Sequence, residues 1–320
     1  MKLLCCADLR LGADCAENLS TELARRWRAA RAEKLENLFD KASQNNASYV
    51  ALFGRLFGQE RVSESAIDAL FRAITSEPRL QTLLFVNYEE YSRLSYRSDK
   101  PENLHLLCTQ SHDAYLDDHM AVSIQQGVIE LLPGLHEPLR IEADADGRYS
   151  LGGKEIIPAL EPLGFEDAQE APFGYGLIEW TEETPAAFRT IVDQKFAFET
   201  VEVKLLPTDS EKEILRKINR AINTLDRDSF LRIRLVGRSA FGLTINADAL
   251  AEQLQSKLFF AEVFDSTVMD IDTDAFETDI SLRSEFVRLA MQDESLSESE
   301  RNRLISCGWS ALGGKGAYDA

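Results

Sequence analysis

The sequence predicts an α/β protein of more than one domain, on three observations. Residues 2–7, 48–53 and 83–86 are compact apolar runs that each stop at a polar residue or a glycine, as strands buried on both faces do. Amphipathic helical stretches lie between them, so strand and helix alternate as in a parallel sheet with right-handed crossovers. From Phe196 onward the pattern changes to alternating strands and short helices, the mark of a second, smaller unit. At 320 residues the chain is long enough for two domains, or for one large domain with an appendage.

In order, the opening run Lys2-Leu-Leu-Cys-Cys-Ala7 stops at Asp8 and carries Asp8, Arg10 and Gly12 into the crevice outside the strand ends. Leu23, Trp27, Ala30, Lys34, Leu35, Leu38, Phe39 and Ala42, three and four apart, predict a helix of about five turns. Arg25, Arg26, Arg28 and Arg31 read as its solvated face, with contact to phosphates as the alternative. The strand Ser48–Phe53 ends at Gly54-Arg55-Leu56-Phe57-Gly58, and a helix from Ser63 to Thr75 brings Ile67, Leu70, Phe71 and Ile74 to one face. Leu83–Val86 is a third strand, ending at Asn87-Tyr88-Glu89, so three strand tips meet at one edge.

Residues 101–128 read as paired strands, and 137–175 as an acidic, turn-rich stretch. His112 and His119, with Asp113, Asp117 and Asp118, read as a polar turn rather than a metal cluster. Gly174–Trp180 is a closing strand. Then follow a strand over Ala197–Leu206, a helix through Ile214–Ile222, a strand Phe230–Val236, a helix Asn246–Leu254 and a strand Leu258–Phe264. Helices over Leu282–Met291 and Glu298–Leu312 precede a glycine-rich, frayed end.

The net charge of −19 argues against a simple nucleic-acid binder. The excess acid is local: residues 101–200 hold 19 acidic and 5 basic side chains, whereas residues 1–100 hold 14 and 15, so basic surface survives near the first strand tips. No apolar run approaches the roughly 18 residues of a membrane span. Five scattered cysteines without paired spacing, and no secretory leader pattern, lead to the expectation of a reduced cytoplasm.

The three strand tips resemble those of the calcineurin-like metallophosphoesterases, and Ala7-Asp8-Leu9-Arg10-Leu11-Gly12 is most similar to the SbcD-like DNA-repair exonuclease subunits. Residues Gly164-Phe165-Glu166 and the strand after them resemble the end of that family's catalytic domain. The resemblance implies a truncated phosphoesterase-like β-sandwich flanked by helices over residues 1–184, a small α+β capping domain over 185–280, and a C-terminal helical tail over 281–320. It also implies an SbcC-like coiled-coil ATPase as partner, DNA reached through that complex, and no membrane.

Family tips carry Asp-x-His, Gly-Asp-x-x-Asp and Gly-Asn-His followed by an acid, which together bind two metal ions. Here Asp8 and Asn87 remain as vestigial ligands, while Arg10 replaces a histidine ligand, Arg55 the bridging carboxylate and Tyr88 the catalytic histidine, with Glu89 beside it. A guanidinium about 4 Å from a divalent ion costs about 8 kcal/mol at an effective dielectric near 20. The expectation is therefore a pseudoenzyme with no catalytic residue and no cofactor. The alternative is an active exonuclease or phosphoesterase with manganese or magnesium in an atypical site. In the degenerate pocket, Arg10 and Arg55 are expected to pair with Asp8 and Glu89, taking over the metals' electrostatic role, or to bind a phosphate.

Overall fold

The opening strand β1 (Lys2–Ala7) lies inside a sheet rather than at its edge, as its unbroken apolar run requires. In this computed structural model it pairs in parallel with β2 (Tyr49–Phe53), followed by β3 (Gln81–Val86) and β4 (Leu104–Cys108). The structure describes residues 1–58, 62–108, 111–117, 119–125, 127–133, 137–169, 172–181, 183–225, 227–240, 243, 245–270 and 280–312. The chain is a mixed α/β protein that divides into two compact units, Met1–Ala197 and Phe198–Ala320.

Helices α1 (Thr21–Gln44), α2 (Glu64–Ser76) and α3 (Tyr88–Ser95) connect the parallel strands, each capped by a side chain that accepts an orphan N–H: Ser20, Ser63 and Asn87. All three pack on one face of the sheet, where Leu35, Phe39, Leu70, Ile74 and Leu94 meet Leu4, Val50 and Leu84. Same-handed crossovers between strands laid down in one direction put every helix on that side.

The opposite face meets a second, antiparallel sheet, the meander β5 (Ser111–Asp117), β6 (Met120–Gln125), β7 (Val128–Leu132), β8 (Leu139–Ala143), β9 (Tyr149–Leu151) and β10 (Glu155–Ile156). Its alternating strands send Met120, Val122, Ile124, Ile129, Leu131 and Ile141 inward against Leu3, Cys5, Phe53 and Phe85. Phe53 and Phe85 stack with ring centroids 4.7 Å apart in this core. The acidic stretch after residue 137 is thus strand-forming, with Gly147, Gly152 and Gly153 making its turns at positive φ. Of the residues expected in a polar turn, His112, Asp113 and Asp117 lie instead on β5, paired with β6; His119 lies in the turn between them, and Asp118 falls outside the described residues.

β11 (Gly174–Glu179) returns antiparallel to β1, and β12 (Ala187–Val192) pairs with β11 from Glu179↔Ala187 to Gly174↔Val192. The first unit therefore runs beyond residue 184, because this hairpin belongs to the first sheet. In the second unit, β13 (Ala197–Leu205), β14 (Ser229–Ser239) and β15 (Phe260–Asp265) lie side by side, with β16 (Val268–Met269) on β14. Helices α4 (Glu211–Ala221) and α5 (Ala247–Gln255) cover one face of that sheet through Ile214, Ile218 and Leu254 on Val203, Ile233 and Val263. Helices α6 (Leu282–Gln292) and α7 (Glu298–Leu312) form a hairpin around Val287, Ala290 and Ile305. The glycine-rich end lies outside the described residues.

The stacked phenylalanines give a stability test of the two-sheet core. Phe85→Ala is expected to cost about 3–5 kcal/mol, read as an earlier midpoint in denaturant unfolding. A loss below about 1 kcal/mol means that the sheets do not share this core.

Candidate functional site

The chain leaves β1 in an uncommon conformation: Asp8 and Arg10 both have φ of 44°. Left-handed backbone at a non-glycine residue costs about 1–2 kcal/mol, and the loop offsets it by hydrogen bonding alongside the loop that follows β2. Asp8 N donates to Phe53 O at 2.9 Å, Arg10 N to Arg55 O at 3.0 Å, and Leu11 N to Leu56 O at 2.8 Å. Gly54 is required in this zipper. Its φ is +78°, and a Cβ there would stand 2.4 Å from the Asp8 Oδ1.

Asp8 is the charge centre of the zipper, with its side chain 12% exposed. Its Oδ1 accepts the Arg55 N–H at 2.9 Å, while its Oδ2 faces the Arg10 Nη2 at 3.3 Å and the Arg55 Nη2 at 3.6 Å. The Arg10 Nη1 bridges to both oxygens of Asp167 at 3.2 Å, and Asp167 Oδ2 in turn accepts the Leu163 N–H at 2.8 Å. These side chains border a crevice of about 330 Å³ at the carboxyl ends of the strands, walled by Arg148, Tyr149, Ile156, Ile157 and Phe173. Burial, with the Asp8 and Glu90 charges, pushes the Tyr149 phenol up, so it stays a protonated donor.

The third strand tip is built differently from the sequence expectation. Asn87 caps α3: its Oδ1 accepts the Glu90 N–H at 2.9 Å, and Glu90 Oε2 accepts the Asn87 N–H at 3.4 Å. Glu90 Oε1 also accepts the N–H groups of Leu56 and Phe57, at 3.1 and 3.3 Å, so this buried carboxylate ties the second tip to the third. Burial outweighs those hydrogen bonds and raises its pKa. Tyr88 is 62% exposed and Glu89 is exposed, and neither Asn87, Tyr88 nor Glu89 borders the crevice. The expected pairing of the arginines with Asp8 is present, but the second acid is Asp167 and no ion pair joins Glu89 to either arginine. Glu89 lies on the outer surface of the α3 start, whereas Glu90, one residue on, points inward.

Beneath the crevice, Arg31 is buried, not solvated as its helix face suggested. Its Nη2 donates to Leu9 O at 2.9 Å and its Nη1 to Glu161 O and Pro162 O at 3.2 and 3.3 Å, with the guanidinium over the Trp27 ring. Burial lowers its pKa to about 10, so it remains a cation at neutral pH. Lys34 sits beside it, 2.8 Å from Asp193 and 3.8 Å from Glu161. Glu161 accepts the Lys195 N–H at 2.6 Å, and burial raises its pKa against the pull of these partners.

The two vestigial ligands are thus in other use. Asp8 accepts a backbone N–H and the Arg10 guanidinium, with the Arg55 guanidinium 3.6 Å away, and Asn87 caps a helix N-terminus. Among the described residues no group of three or more His, Cys, Asp or Glu side chains is placed to hold a metal ion. The donor set does not fit a two-metal centre.

Asp167, Glu90 and Arg31 were not legible as site residues. Glu90 had a signal in the Asn-x-x-Glu capping pattern, and Arg31 in its place four residues after Trp27 on the buried stripe. Asp167 had none, since 157 residues separate it from Arg10. No protein-family model matches this chain, and no curated protein matches it.

The raised Glu90 carboxyl predicts a pH signature. The folded state binds its proton more tightly than the unfolded state, so its contribution to stability falls as pH rises from 4.5 through the raised folded value. The stability of the wild-type chain relative to Glu90→Gln should therefore decline across that window in denaturation measured against pH. Parallel curves for the two proteins would show that the carboxyl titrates normally.

Proposed function

We propose that this chain is a non-catalytic relative of the calcineurin-like metallophosphoesterases, of the SbcD-like branch, that serves as a subunit or scaffold for an SbcC-like coiled-coil ATPase in DNA processing. The observation that carries the loss of catalysis is the Arg10 guanidinium lying between Asp8 and Asp167. A metal ion at Asp8 would have to displace the guanidinium groups beside its Oδ2 or the backbone N–H on its Oδ1, and then find further ligands.

The family reading draws support from the architecture: three parallel strand tips, helices on one face and an antiparallel sheet on the other. In this reading the first unit is the truncated phosphoesterase sandwich, β13–β16 with α4 and α5 are the capping domain, and α6 with α7 is the tail. The partner reading draws support from that helical hairpin, which leaves Leu282, Leu289 and Leu304 exposed. Such side chains suit a second helix laid along them.

Manganese titration into the full chain by calorimetry, followed by a nuclease assay on linear duplex DNA, tests the reading. The expected outcome is no stoichiometric heat and no cleavage. Micromolar binding with cleavage would overturn it in favour of an active, metal-dependent exonuclease with an atypical site.

A further inference from the structure

The crevice has the equipment of a ligand site that needs no metal. Its volume of about 330 Å³ falls at the lower end of small-molecule pockets, roughly 300–1,000 Å³. Three arginines border it, Arg10, Arg55 and Arg148, and one wall is apolar, made by Ile156, Ile157 and Phe173. The Ile156 side chain stands exposed at that wall, an apolar surface without a covering group.

Arg55 is the most available of these cations. Its backbone is fixed, because its N–H is bonded to Asp8 and its carbonyl accepts the Arg10 N–H. Its guanidinium is 65% exposed, and its nearest acid is the Asp8 Oδ2 at 3.6 Å, outside hydrogen-bond range. An anchored base with an unspent fork is the geometry that binds planar oxyanions in pairs of hydrogen bonds. Arg10 is held less tightly than in a close ion pair, since its carboxylate contacts are 3.2–3.3 Å long. Of the three acids in the lining, Asp8, Asp146 and Asp167, the first and last do not repel an anion at full strength, since each accepts a backbone N–H and faces a guanidinium.

We propose that this crevice binds a small organic anion, a carboxylate or phosphate monoester on a flat apolar body, without a metal and without cleaving it. Arg55 grips the oxyanion and Tyr149 donates beside it. The body lies against Ile156 and Phe173. The inference rests on the metal-free reading of the crevice given above, and it does not depend on the coiled-coil partner.

The test is calorimetry on the full chain in the presence of a chelator, with inorganic phosphate, benzoate and a nucleoside monophosphate as probes. Benzoate and the nucleotide should bind and be recovered intact. Arg55→Gln should weaken both about tenfold, at an unchanged melting temperature because the side chain is exposed. Ile156→Ser should weaken the two ringed probes and leave inorganic phosphate unaffected. No heat from any probe, or equal affinity in Arg55→Gln, overturns the inference while leaving the proposed function standing. Heat that requires added manganese overturns both.

Discussion

The Asp8 carboxylate ties the end of the central strand to its neighbour, and the strained loop around it exists on that condition. Two residues in left-handed backbone are tolerable because their N–H groups pair with the loop after β2. That pairing is possible because Gly54 leaves room for the carboxylate. The same device repeats along the edge. Glu90 accepts N–H groups from the second and third tips, and Asp167 accepts one from the loop that closes the crevice. Three acids, each holding the backbone of another segment, set the positions of the tips.

A second layer of charge lies underneath. Burying an arginine and a lysine is costly unless every donor finds a partner. Arg31 recovers much of that cost by giving its two terminal nitrogens to three carbonyls in the β1 and Glu161 loops. Lys34 and Glu161 then fasten the segment at Asp193–Phe196, whose Phe196 ring packs on Trp27. Such a cluster adds less net stability than an apolar core of equal volume. It does fix which loop stands where, since each donor has a particular carbonyl to find.

The sequence made the helices and the parallel strands legible because both rest on local periodicity and on caps within three residues of the helix start. The strand ends, and therefore the meeting of Asp8, Arg10 and Arg55, followed from where each apolar run stops. Legibility failed where the deciding partner is remote. Asp167 is bound to Arg10 across most of the first unit. The strands β8–β10 are too short to display a pattern against their glycine turns, and β12 has no buried face to mark it. Arg31 and Glu89 were misassigned for a different reason: composition named them polar, and a shift of one or two positions around a helix decides whether a polar group faces water or the core.

The charge distribution sorts the partners this edge can meet directly. Within the crevice, Arg10, Arg55 and Arg148 stand against Asp8, Asp146 and Asp167, so the local balance is near neutral, and Asp8 and Asp167 each give an oxygen to a backbone N–H. The whole chain, by contrast, carries −19. Fields from distant acids are screened over about 8 Å at physiological salt, so a ligand small enough to sit inside the crevice meets this near-neutral lining rather than the charge of the whole chain. A duplex cannot do this, because its phosphates continue for many screening lengths past the crevice and meet the acidic surface as well. Direct contact with long nucleic acid is therefore disfavoured by the charge of the whole chain. A role in DNA processing then requires that a partner supply the basic surface.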